Sequence, residues 1–177
     1  MSWWRRLVGC TIAALAGSVA PIAAQSRDTQ STIAFVQRLQ DTEDIRNVLI
    51  RYGRLLDARD LEGYANLFAR DGEWSGGFGD GKGGPVGILA FMKAQINPSP
   101  SAQPPASYHV MSNFLIDVHG DTATAWSRWT FMSVDRDNKA VVSQGGHYDD
   151  TLVRENGEWK FKRRVVTREV PRRGSKP

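Results

Sequence analysis

Three side chains carry most of the chemistry legible in this chain. Tyr52 and Asp57 lie near the end of one amphipathic helix, and His109 opens a strand well downstream. A carboxylate that reaches an imidazole is a proton-abstraction device needing neither a metal nor an organic cofactor. The carboxylate fixes the tautomer of the ring and raises its basicity, so that the imidazole takes a proton near neutral pH. A phenol such as Tyr52 adds a hydrogen-bond donor for a carbonyl or leaving hydroxyl on which negative charge develops. Each residue also has a plainer reading. Asp57 can simply end its helix beside Ala58-Arg59-Asp60, His109 can be a satisfied interior histidine, and Tyr52 can be an ordinary core aromatic. Five residues of helix separate Tyr52 from Asp57 by roughly 140° and about 7.5 Å of rise, so the two converge only on an open cavity at the helix end.

By strand alternation His109 shares a face with Met111, Asn113 and Leu115. A His and an Asn two steps apart among apolar neighbours read as a pocket wall with a few polar handles. Trp129 and Phe131, if their face turns inward, make that pocket apolar and suited to a ring or terpenoid-sized ligand. His119, beside Gly120, reads as an exposed turn residue, and His147, after Gly145-Gly146, points either way. No two histidines stand at ligand spacing and Cys10 is the only cysteine, so neither a metal site nor a cofactor is expected. Gly79-Asp80-Gly81-Lys82-Gly83-Gly84 lacks the spacing of a phosphate loop, with no hydroxyl after its lysine, and reads as a flexible turn.

The elements that position these residues come helices first and strands last, the α+β order. Ser31 to Gln40 reads as a short leading helix, and Asp41 or Thr42 as the cap of a second. That second helix places Ile45, Val48, Leu49, Tyr52, Leu55 and Leu56 on one stripe. Asp60 caps a shorter helix with Leu61, Tyr64, Leu67 and Phe68 inward, ended by Asp71-Gly72, and Glu73 to Phe78 reads as a strand. Pro85 opens a third helix to Ile96, followed by a four-proline loop from Asn97 to Ser107. Four strands complete the chain: Tyr108 to Val118, Thr122 to Val134, Ala140 to Arg154 with a bend at Gly145-Gly146, and Glu158 to Val170.

Residues 1–24 have the form of a secretory signal, with Arg5 and Arg6 before an uncharged run from Leu7 to Ala24. Cleavage there leaves a lead-in over 25–40, a domain over 41–170 and a basic tail over 171–177, about 153 residues in all. A membrane anchor or a lipid-attachment box at Cys10 is the alternative. The mature chain then lacks cysteine, suits a periplasmic location and is not expected to insert stably in a membrane. From Lys160 to Pro177 there are eight basic residues against Glu169 alone, on a body that is otherwise acidic. No nucleic-acid module accompanies that basic end, and no nucleic-acid partner is expected.

Several segments together resemble the SnoaL-like branch of the nuclear transport factor 2-like superfamily. They are Asp44-Ile45-Arg46-Asn47-Val48-Leu49-Ile50-Arg51-Tyr52 running to Asp57, Leu67-Phe68-Ala69-Arg70-Asp71-Gly72, His109-Val110-Met111-Ser112-Asn113, Gly120-Asp121-Thr122-Ala123-Thr124-Ala125, and Tyr148-Asp149-Asp150 through Trp159 to Arg164. The resemblance implies a cone-shaped α+β barrel, three to four N-terminal helices on a strongly curved, mostly antiparallel sheet enclosing a pocket. It includes enzymes similar to scytalone dehydratase, bile-acid dehydratase and hexachlorocyclohexane dehydrochlorinase, as well as members without known chemistry. It implies Asp57 and His109 as an acid/base pair, Tyr52 as the polar group before the Asp, and Arg164 or Arg168 as a last-strand arginine. The scytalone-type second histidine has no counterpart here. Three expectations follow: a cofactor-free lyase or isomerase acting on a small hydrophobic, cyclic molecule, with Asn113 or Arg164 steadying the oxyanion; a non-catalytic small-ligand binder; or an interaction domain, homo-dimeric or homo-trimeric, whose cone is filled by Met111, Trp129 and Phe131.

Overall fold

The computed structural model describes residues 22–76, 79–96 and 106–170. Most of the segment read as a secretory signal, the basic tail, Phe78 and most of the four-proline loop lie outside the described residues. The elements are helices α1 (Ile22–Asp57), α2 (Leu61–Ala65) and α3 (Gly84–Gln95), with strands β1 (Phe68–Gly76), β2 (Gly79–Gly81), β3 (Tyr108–His119), β4 (Thr122–Val134), β5 (Ala140–Glu155) and β6 (Glu158–Val170). This is the expected α+β architecture. Six strands form one sheet in the order β2-β1-β6-β5-β4-β3. Only β1 and β6 pair in parallel; every other pairing is antiparallel.

The two helices expected before Asp57 are one. No glycine or proline interrupts the chain between Gln25 and Tyr52, so nothing forces a break at Asp41-Thr42. The Thr42 hydroxyl donates back to the Arg38 carbonyl at 2.8 Å, a bond that mid-helix threonines favour. Asp41 is buried and receives Arg154 Nη2 at 2.6 Å and Gln37 Nε2 at 3.1 Å. Burial pushes the Asp41 carboxyl up, but donors from Arg154, Gln37 and Trp159 outweigh it and hold the group below its usual range. Among residues 26–36, the Ser31 and Thr32 hydroxyls bond the Asp28 carbonyl.

Over residues 37–57 the expected stripe is inward: Ile45, Val48, Leu49 and Tyr52 are all buried. Asp60 caps α2 as expected, its Oδ1 accepting from the Gly63 amide at 2.8 Å. That helix nevertheless ends at Ala65. Leu67 and Phe68 stay inward, but Phe161 N–H donates to the Leu67 carbonyl at 2.8 Å and Phe68 starts β1 opposite Phe161. Pairing with β6 therefore takes over from helical continuation. The glycine-rich turn is partly strand, Gly79–Gly81 folding back on β1.

Strands β4 and β6 have the bounds read from alternation, and the β5 bend appears as a register shift between Gly145 and Gly146. At the centre of the sheet, Arg164 is fully buried and holds Asp150 bidentately, at 2.7 and 2.6 Å. Its guanidinium carbon lies 3.9 Å from the Tyr52 ring centroid, 4.0 Å from Tyr148 and 4.2 Å from Phe161. Among the described residues no helix is long and apolar enough to cross a membrane.

Candidate active site

Asp57 is the last residue of α1, and the way α1 stops decides where its carboxylate points. The Asp60 amide donates to the Leu55 carbonyl at 3.0 Å and the Arg59 amide to Leu56 at 3.1 Å, with Arg59 left-handed at φ 59°. That is a Schellman stop with arginine in the position glycine usually takes. It leaves Asp57 at the helix rim facing β3. There Oδ2 accepts the His109 backbone N–H at 2.8 Å and Oδ1 lies 2.6 Å from His109 Nδ1. With the carboxylate ionised, Nδ1 carries the ring proton and Nε2 keeps its lone pair. Both side chains are mostly shielded, 14% exposed for His109 and 22% for Asp57.

Gly53 permits this approach. A β-carbon there would stand 3.2 Å from His109 Cβ and 3.3 Å from Met111 Cγ, closer than a relaxed contact. Phe131, paired with His109 across the β3–β4 ladder, tilts its ring against the imidazole with centroids 4.8 Å apart.

His109 borders two adjoining chambers. The outer, about 410 Å³, is walled by Asp57, Arg59, Ile96, Phe131, Gln144 and Arg168 among others. The inner, about 120 Å³, is walled mainly by rings: Tyr52, Tyr64, Trp74, Trp129 and Tyr148. Leu56, Met92, His109, Gln144 and Arg168 belong to both walls. A third hollow on the sheet, about 500 Å³ and including Leu115, Trp126 and Asp149, contains none of the candidate acid/base residues. In the inner chamber the Tyr52 hydroxyl accepts from Tyr64 Oη at 2.8 Å and from Trp74 Nε1 at 2.9 Å. With two donors on its oxygen, the phenol keeps its own O–H free to point elsewhere. Burial drives the Tyr64 and Tyr148 phenols well above their ordinary range, so both stay protonated.

Tyr52, His109, Asp57, Trp129 and Phe131 thus surround one cavity. Three expected residues do not. Asn113 is exposed at a bulge where the β3 register shifts between Ser112 and Leu115, its φ of 52° breaking the alternation that would have aligned it with His109. Leu115 is turned out with it, 67% exposed. Met111 packs half-buried under Gly53 instead of lining either chamber. Arg164 is sealed beneath Tyr52 and Tyr148, and Arg168, four residues further along β6, lines both chambers. His119 is exposed near Asp117. His147 sits between Glu169 and Asp149 against Trp126, away from the cavity. Gln144, Tyr64, Trp74 and Arg59 escaped the sequence reading. A strand alternation carried through the Gly145-Gly146 bend was the available signal for Gln144. Among the described residues no three His, Cys, Asp or Glu side chains cluster as a metal site.

The SnoaL-like domain family matches residues 37–165, most of the chain and all of this site except Val166 and Arg168. The protein belongs to the SnoaL-like domain family. Its SnoaL-like fold is similar to a nuclear transport factor 2-like protein with a cystatin-like fold from Novosphingobium aromaticivorans, at 26% identity and TM-score 0.68, over 77% of this chain and 86% of that one. LinA is similar at 22% identity and TM-score 0.63, over 79% and 95%. A protein of unknown function from Mycobacterium tuberculosis, Rv3472, is similar at 21% identity and TM-score 0.62, over 86% and 78%. None of the curated proteins compared with this SnoaL-like chain matches it.

Proposed function

We propose that this SnoaL-like protein is an exported, cofactor-free lyase or isomerase acting on a small hydrophobic, cyclic substrate. One observation carries the reading: a carboxylate that grips both the main chain and Nδ1 of His109, at 2.8 and 2.6 Å, on the wall of a roomy cavity. Held in this way, His109 Nε2 takes a proton from a carbon next to a carbonyl. The C–H electron pair moves toward the carbonyl oxygen, where Tyr52 donates a hydrogen bond, or expels a hydroxyl from the adjacent carbon. The imidazolium returns its proton to the departing oxygen in an elimination, or to another carbon in an isomerisation. Export rests on the basic and apolar run over residues 1–24. Assembly into a homo-dimer or homo-trimer is supported by Leu115 and Trp126, which face each other across β3 and β4 and, with Asp149, line the hollow that excludes the acid/base pair.

The test is proton exchange. The full chain is incubated in D2O with a panel of cyclic ketones and β-hydroxy carbonyl compounds, and deuterium uptake is followed by NMR. His109→Gln and Asp57→Asn should each slow the catalysed exchange by about 10²–10⁴-fold. Exchange equally fast in both variants rejects the acid/base assignment. A non-catalytic binder would bind panel members equally well in wild type and His109→Ala while exchanging nothing.

A further inference from the structure

The two chambers differ in chemistry, and the difference bears on what fills them. Arg59 and Arg168 both line the outer chamber beside Asp57 and His109. Arg46, Arg128, Arg154 and Arg164 each face an acid elsewhere in the fold, whereas among the described residues neither Arg59 nor Arg168 has an acidic partner. Asp57 is the one acid on that wall, already hydrogen-bonded to His109, and offsets one of the two charges at most. Two guanidiniums against one engaged carboxylate leave an unbalanced positive charge at the mouth.

The placement of Arg59 strengthens the point. Its backbone is left-handed, φ 59°, at the helix-stop position where glycine is least costly. An arginine kept there turns a long cation toward the cavity opening. At the far end the walls are aromatic, and the space is about 120 Å³. An apolar cavity of about 150 Å³ accepts a benzene-sized ring.

We propose that the ligand of this cavity is an amphipathic anion, a single apolar ring seated in the inner chamber with a carboxylate-type group held at the mouth by Arg59 and Arg168. Guanidinium pairs with carboxylate through parallel N–H donors, which fixes orientation as well as charge. Seated in this way, the atoms between ring and anion pass His109, which borders both chambers. The inference takes the cavity of the preceding section as the ligand site and adds the substrate class.

Calorimetric titration of the full chain with 3-phenylpropionate and with its uncharged amide tests it. Wild type is expected to bind the carboxylate at least tenfold more tightly than the amide at low salt. In Arg59→Gln/Arg168→Gln that preference falls to within twofold while amide affinity is retained, and Arg168→Lys, which keeps the charge but not the paired donors, keeps only part of it. His109→Gln retains the preference in full, so a failed proton-transfer reading and a failed anion reading give different results. Equal affinities in wild type, no binding of the carboxylate, or a preference that survives in the double glutamine variant each overturn the proposal.

Discussion

Asp57 and His109 illustrate what single residues reveal. By type alone Asp57 reads equally as a helix end and His109 as an interior histidine; the resemblance pairs them, and their side chains do meet. Tyr52 was legible as a polar group on the apolar stripe, but its two donors were not, because Tyr64 and Trp74 come from other elements and no local spacing ties them to it. Tyr52→Phe removes the acceptor that satisfies both. It is expected to lower stability by about 1–3 kcal/mol, since the buried Tyr64 hydroxyl loses its acceptor. It should also lower kcat by about 10²-fold with little change in KM, as loss of a donor to a developing oxyanion does. Thermal melts and steady-state kinetics on any exchange-active panel compound check this; a raised KM at constant kcat would make Tyr52 a binding group alone. Asn113 was misread for a local reason. Period-two patterning carries no mark of a left-handed residue, although asparagine is among the few that tolerate one.

Elements with strong periodicity were read to the residue, as β4 and β6 were, and those decided by long-range pairing were not. The end of α2 is set by β6 and the continuity of α1 by burial of Asp41, neither of which a local window contains. The same limit hid the register of β6, where Arg164 faces the core and Arg168 the cavity. Burial works against the Arg164 charge, but the bidentate Asp150 more than offsets it and the guanidinium stays protonated; burial in turn pushes the Asp150 carboxyl up. Removing one partner strands the other. Arg164→Met is expected to cost about 3–5 kcal/mol, and Arg164→Met/Asp150→Leu distinctly less, because no buried charge is then left alone. Urea denaturation of the two variants decides it; a double variant no more stable than the single one would assign the pair a packing role instead.

On the scale of the whole molecule the cavity stays open although Trp129 and Phe131 reach its walls, so these side chains line it and do not plug it. The basic end of the sequence reads as separate from the acidic body; in the fold Lys162 pairs with Asp71 of β1, Arg164 with Asp150 of β5 and Lys160 with Glu158 of β6 itself, so part of that charge is met within the sheet. Emptiness in the core costs stability that a larger side chain recovers. Val166→Phe, on the inner chamber wall, is expected to hold or raise Tm while weakening 3-phenylpropionamide binding more than tenfold, as melting curves and calorimetry would register. Unchanged affinity would mean that rings do not enter the inner chamber. The stem of α1 before its Schellman stop sets the direction of the Asp57 carboxylate by its length. Drift in the chamber walls can exchange size, polarity and shape position by position. The stem has no such latitude: adding or deleting a single residue between Tyr52 and Asp57 swings the carboxylate by about 100°. The chamber can thus be reupholstered freely, whereas a change in the length of its frame would uncouple the carboxylate from His109.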